Sequence, residues 1–206
     1  MLIVTDIRRG DLAGLAHAYR SLIEAAAGGT LGLFTAIARL RAVHARINDP
    51  LARAGLPLYG QHVDPIDTGT LVDIFRAEPH ASLLGTDALR DGVDVPGASL
   101  RQVVMECVPW PRPTVLQAAR RAGHAGGGTA YDDQVVMGRL AQAFGRLSRR
   151  ADDRGTFVLI GAAVPSRLLA AFPPGTPVDR VRLDDAVAVV AAARHGGESL
   201  PVGEIA

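Results

Sequence analysis

The chain contains no lysine: all 22 of its basic residues are arginine. This excludes any chemistry that requires a lysine here, including the P-loop lysine that holds the β- and γ-phosphates of a nucleotide. Cysteine is almost absent. The single Cys107 lies in the apolar run VVMECV, so neither an internal disulfide nor a cysteine zinc site can form, and the residue reads as a buried strand thiol. Long hydrophobic runs are missing too. The longest, AVAVVAAA at 186–193, is far short of a membrane span, and MLIVTDIRRG at the N-terminus lacks the layout of a signal peptide. A soluble, cytoplasmic protein with no membrane partner is expected. The formal net charge of +1 argues against a surface coated in positive charge but not against a local basic strip.

What is present suits one domain of ordinary size. Of 206 residues, 48% are hydrophobic, enough to bury a core. Apolar runs of strand length occur at 30–36 (TLGLFTA), 56–62 (LPLYGQH), 81–86 (ASLLGT), 100–108 (LRQVVMECV) and 154–161 (RGTFVLIG), with an edge strand at 178–183 (VDRVRL). Between them, 3.6-residue periodicity predicts helices over 11–27, 36–47, 68–77 with Thr68 as N-cap, 113–123, 133–149, 165–172 and 183–194. Residues 123–133, GHAGGGTAYDD, are glycine-rich and are expected to form a mobile loop. Strands alternating with helices imply an α/β fold with a mainly parallel sheet covered on both faces. In such folds ligands bind beyond the carboxyl ends of the strands. The residues there are Thr35, Gln61–His62, Gly85–Thr86–Asp87 and Pro109–Trp110.

Several kinds of site are not supported. Gly126–Gly127–Gly128–Thr129 lacks the P-loop motif, and no lysine exists to complete one. The acidic pairs Asp132–Asp133, Asp152–Asp153 and Asp184–Asp185 do not follow apolar strands. The six histidines are scattered without metal-ligand spacing, and no G-x-S-x-G elbow occurs. One helix is more informative. With Gln142 at zero and about 100° per residue, Arg146 falls near 40° and Arg149 near −20°. Val136, Met137, Leu140, Phe144 and Leu147 take the opposite face. Gly145 borders the polar stripe, and a mid-helix glycine costs ~1 kcal/mol relative to alanine, which a close approach by another surface would offset. The loop GTDALRDGVDVPG, 85–97, follows a strand and can bring backbone amides to a phosphate. On these features alone, a wet surface helix, a module docking a partner protein or nucleic acid, and a doubly wound enzyme for a phosphorylated metabolite all remain open.

Taken together, G-T-x-x-x-x-x-G-V-D-V-P-G followed by Q-A-x-G-R-L-x-R resembles the second RecA-like motor domain of superfamily 2 helicases, of the DinG/XPD type. The resemblance extends over most of the chain, with TLGLFTAIARLRAV, VVMECVPWPRP and RADDRGTFVLIG resembling further segments of that domain. It implies a RecA-like three-layer sandwich and a single helicase C-terminal domain over 1–206. Arg146 and Arg149 would be arginine fingers stabilising charge on the transferring γ-phosphoryl group, and Gln142 would help order that site, with Gly145 as the point of close approach. Gly92 and Asp94 would line the nucleotide cleft and couple it to DNA. Thr35 and Thr86 would hold phosphates of single-stranded DNA, with Arg39 a further contact and Trp110 available to stack a base. ATP and magnesium would be held mainly by a first motor domain carrying the Walker lysine and a DEAH-type box, neither of which is here. The cysteines that hold an iron–sulfur cluster in many relatives are missing, and Ser148 stands where relatives often carry an apolar residue. The chain thus resembles half a motor, expected to be a fragment of a longer helicase and inactive as an ATPase alone.

Overall fold

A computed structural model describes residues 1–86, 89, 99–147, 155–161 and 164–195. Its sheet has seven strands: β1 (Leu2–Val4), β2 (Thr30–Leu33), β3 (Leu58–Gly60), β4 (Ser82–Gly85), β5 (Gln102–Met105), β6 (Thr156–Ile160) and β7 (Asp179–Val181). Their order is β3-β4-β2-β5-β6-β1-β7, and every pairing is parallel. The helices are α1 (Leu12–Ala26), α2 (Ile37–Arg53), α3 (Thr68–Ala77), α4 (Val115–Ala122), α5 (Gly127–Phe144) and α6 (Leu183–His195), with a 3-10 segment at Ser166–Ala171. None of the described helices is long and apolar enough to cross a membrane.

Alternation along the strands deals side chains to two cores. Ile3, Leu31, Leu33, Val103, Met105, Phe157 and Leu159 face one layer, where α3 brings Leu71 and Phe75 and α5 brings Val136, Leu140 and Ala143. Leu2, Val4, Val104, Val158 and Ile160 face the other, covered by Leu15, Leu22 and Ile23 of α1, Leu40, Val43 and Ile47 of α2, and Ala186 and Val190 of α6. This is the three-layer sandwich expected. Tyr19 is fully buried in the second core, stacks on Phe34 at 4.8 Å and donates its hydroxyl to the Val104 carbonyl at 3.1 Å. A Cβ at Gly32 would lie 2.7 Å from the Tyr19 ring and 2.5 Å from Leu84, so only glycine lets that ring lie on the sheet.

Four sequence expectations change. β1 was not anticipated; it pairs with β6 and β7 through Leu2↔Val158 and Leu2↔Asp179. The N-cap of α3 is Asp67, whose carboxylate accepts from the Thr70 amide at 3.0 Å, while Thr68 accepts from Gln61 instead. The glycine-rich stretch at 123–133 is largely helix, because α5 starts at Gly127. An Arg121–Asp132 ion pair at 3.1 Å and a His124–Gln134 hydrogen bond at 3.1 Å tie that start to α4 and its turn, and such tertiary contacts override glycine's poor helix propensity. Finally, α5 ends at Phe144 and Gly145 is its C-cap at φ −62°. The mid-helix cost assigned to this glycine therefore disappears.

Candidate functional site

Parallel strands end at a common edge, so the residues after each strand meet there. At the carboxyl edge they enclose a cleft of about 1220 Å³. Thr35, beyond β2, and Thr86, directly after β4, both line it, as do Trp110 beyond β5 and Arg39 in the first turn of α2. These are the four residues that the resemblance assigned to DNA. Trp110 is 38% exposed, so part of its indole faces solvent.

The cleft also gathers charge that sequence reasoning missed. Arg8 and Arg9 come from the β1–α1 connection, Arg112 from the proline-broken segment after β5 and Arg139 from α5. With Arg39 that makes five arginines among the described residues of its wall, against one carboxylate, Glu106. Among the described residues only Arg39 of these five has a carboxylate partner. Two are steered by backbone carbonyls: Arg139 donates to Pro109 at 2.9 Å and Arg112 donates to Thr35. A chain of net charge +1 thus carries a concentrated basic surface.

Glu106 is the least anticipated member. It directly follows β5 and its side chain is fully buried. One carboxylate oxygen accepts from both the Thr35 amide, at 2.7 Å, and the Thr35 hydroxyl, at 2.5 Å; the other accepts from Arg39 Nε. Burying a carboxylate is costly unless it is paired and hydrogen-bonded, and this one is both. A neutral counterpart holds the other threonine. Gln61, 4% exposed, accepts from the Thr86 amide at 3.0 Å and from its hydroxyl at 3.1 Å. The available signal was an isolated acid at the carboxyl end of the apolar run VVMECV: such a residue, once buried, has to find donors. Cys107, next along, is half-buried in the cleft wall rather than in the strand, 3.8 Å from the Thr35 hydroxyl. Burial and then the charge of Glu106 push its thiol pKa up.

Of the residues assigned to nucleotide, the described ones lie elsewhere. Gln142 is exposed near the end of α5, Gly145 is exposed at its C-cap and Arg146 is half-buried in the turn that follows. That turn is held by hydrogen bonds from the Gly145 amide to Ala141, at 2.9 Å, and from the Leu147 amide to Phe144, at 3.0 Å. Leu147 is buried, and its Cδ2 would lie 2.5 Å from a Cβ at Gly155, directly before β6. Phe144 packs on Phe157 and Phe172 with ring centroids 5.8 and 5.3 Å away. The apolar face expected of this helix is therefore buried as read, and Arg146 sits where β6 begins, at the edge opposite the cleft. Gly92, Asp94, Ser148 and Arg149 lie outside the described residues. Among the described residues, no group of three or more His, Cys, Asp or Glu is placed to hold a metal ion.

Residues 19–169 match the family described as helicase C-terminal domain. The chain is 39% identical over 163 residues to the ATP-dependent helicase DinG of Mycobacterium tuberculosis (strain ATCC 25177 / H37Ra), covering 74% of this chain and 24% of that protein. It is 31% identical over 177 residues to the ATP-dependent DNA helicase YoaA of Escherichia coli (strain K12), covering 80% of this chain and 27% of that one. The chain thus spans about a quarter of the length of these curated relatives. In three dimensions it is similar to a solved XPD helicase, with a TM-score of 0.62 and 16% identity over 87% of this chain and 35% of the other. It is also similar to the C-terminal domain of the DEAD-box protein Dbp5, with a TM-score of 0.54 and 16% identity over 95% and 96%. These structural likenesses carry the RecA-like α/β fold, and the sequence matches carry the relationship: the chain belongs to the helicase C-terminal domain family.

Proposed function

We propose that this domain is the second motor domain of an ATP-dependent DNA helicase, with single-stranded DNA in the carboxyl-edge cleft and ATP approached from the opposite edge. The observation that supports the cleft assignment best is the meeting of Thr35, Arg39, Thr86 and Trp110 with four further arginines in one cavity. Guanidinium groups meet backbone phosphates through charge-assisted, often bidentate contacts, and an exposed indole offers a sequence-tolerant stacking face. That combination suits a strand bound without strong sequence preference.

At the other edge, Arg146 and Arg149 would act on a nucleotide held by a first motor domain. A guanidinium brought to the γ-phosphate stabilises the charge spread over its oxygens during transfer. Gln142 would order the same contact, the exposed Gly145 would allow the partner surface close, and Gly92 and Asp94 would line the nucleotide cleft and couple it to DNA. Without a lysine, this chain is expected to leave the triphosphate and its magnesium to the partner domain. Closure of the two domains on ATP and their opening after hydrolysis would move the strand through the cleft.

The direct test is binding of a fluorescent oligothymidylate to this chain, followed by anisotropy at rising salt, beside an ATPase assay. Weak, salt-sensitive binding without ATP turnover is expected. Turnover above that of a variant lacking Arg146 and Arg149 would overturn the division of labour, and an absence of oligonucleotide binding at low salt would remove the cleft assignment.

A further inference from the structure

The donors that would meet a phosphate at Thr35 are already in use. Its amide and its hydroxyl both donate to one oxygen of Glu106, and Arg39 donates to the other. Ala36, the N-cap of α2, supplies no capping side chain, so the buried carboxylate also provides the negative charge that a helix N-terminus favours. Carboxylate and phosphodiester oxygens accept from the same donors in the same way. We infer that Glu106 is an internal anion occupying the phosphate site formed by Thr35 and Arg39, and that it sets the strand affinity of the cleft by competing with DNA for it. This inference rests on the reading of the cleft as a DNA site.

The second threonine supplies the internal contrast. Thr86 makes the same two-donor contact, but to the neutral amide oxygen of Gln61, at 3.0 and 3.1 Å against 2.7 and 2.5 Å at Glu106. Charge-assisted hydrogen bonds are shorter and about twice as strong as neutral ones. A phosphate therefore displaces Gln61 more readily than Glu106. Arg39 is a contributor of positive charge only after its carboxylate is released, while among the described residues Arg8, Arg9, Arg112 and Arg139 have no carboxylate to leave.

Glu106→Gln tests this, because it keeps the size and one acceptor oxygen for Thr35 while removing the charge that holds Arg39. Oligothymidylate binding should tighten several-fold. The slope of log affinity against log salt should steepen by about 0.7, the value for one more phosphate neutralised on a single strand. The gain should vanish in E106Q/R39Q. Detectable binding by E106Q where the unmodified chain shows none carries the same meaning. Equal or weaker binding by E106Q with a cooperative thermal melt makes Glu106 a brace for Thr35 and overturns the inference alone. Failure of both proteins to bind removes the DNA reading together with it. Should E106Q not fold, Glu106→Asp withdraws the carboxylate from Thr35 while keeping its charge. Tighter binding then supports the competition, and unchanged binding overturns it.

Discussion

At the carboxyl edge of the sheet, five arginines and a half-exposed tryptophan surround one buried carboxylate in a cleft of about 1220 Å³. At the opposite edge, Gln142, Gly145 and Arg146 stand at the end of α5, and none of them lines that cleft. The first arrangement encloses space and concentrates charge; the second is a helix end anchored by Phe144 and Leu147, with Gln142 and Gly145 exposed and Arg146 half-buried beside them. Parallel topology explains the separation. Residues after the strands collect at one edge, whereas a motif that ends a helix and precedes a strand is delivered to the other. A domain built this way can hold a strand in its own cleft while offering its other end to a ligand carried by a partner.

The largest effect expected from breaking this contrast is at the arginine end. In a protein containing both motor domains, Arg146→Ala and Arg149→Ala should each reduce DNA-stimulated ATP turnover by about a thousandfold or more, the range for arginine fingers, as measured by steady-state phosphate release. Next is Trp110→Ala, which should weaken oligothymidylate binding by about 1–3 kcal/mol, the usual worth of one stacked base, while DNA-independent turnover stays unchanged. A smaller change is expected for Arg112→Ala: reduced affinity and a salt slope shallower by about 0.7. The smallest is a rate at Cys107, the chain's one thiol. Because burial and Glu106 raise its pKa, less thiolate is present at neutral pH than for an ordinary cysteine. Alkylation by iodoacetamide should therefore be slow there and quicken as pH rises beyond the normal thiol range. Bound oligonucleotide should slow it further, and rapid labelling at neutral pH, unaltered by oligonucleotide, would detach Cys107 from the strand's path.

Much of the architecture was legible because it rests on local patterning. Five of the seven strands are apolar runs ended by turn residues and a sixth, β7, was read as an edge strand; placing Thr35, Thr86 and Trp110 after strands was enough to bring them to one edge. What could not be read depends on distant partners. β1 is three residues long and gains its meaning only by pairing with Val158 and Asp179, at the far end of the chain. Missing β1 also hid Arg8 and Arg9, since nothing else directs that connection to the cleft. Glu106 was one acid in an apolar run, and its partners, Thr35 and Arg39, lie roughly seventy residues earlier. At α3, Asp67 and Thr68 are adjacent capping candidates, and the choice went to the carboxylate that reaches the Thr70 amide. Gly145 could have been read as a stop, since glycine marks helix ends more often than interiors; the continuing apolar period through Leu147 masked it.

The measurement that bears most directly on the two-edge account is the oligothymidylate affinity of Arg146→Ala, taken on the two-domain protein beside its ATP turnover. The account predicts affinity within about twofold of the unmodified protein, well inside the ~1.4 kcal/mol that a tenfold change represents, with turnover lost. Loss of DNA binding with turnover intact would contradict it, moving Arg146 from the nucleotide side to the strand.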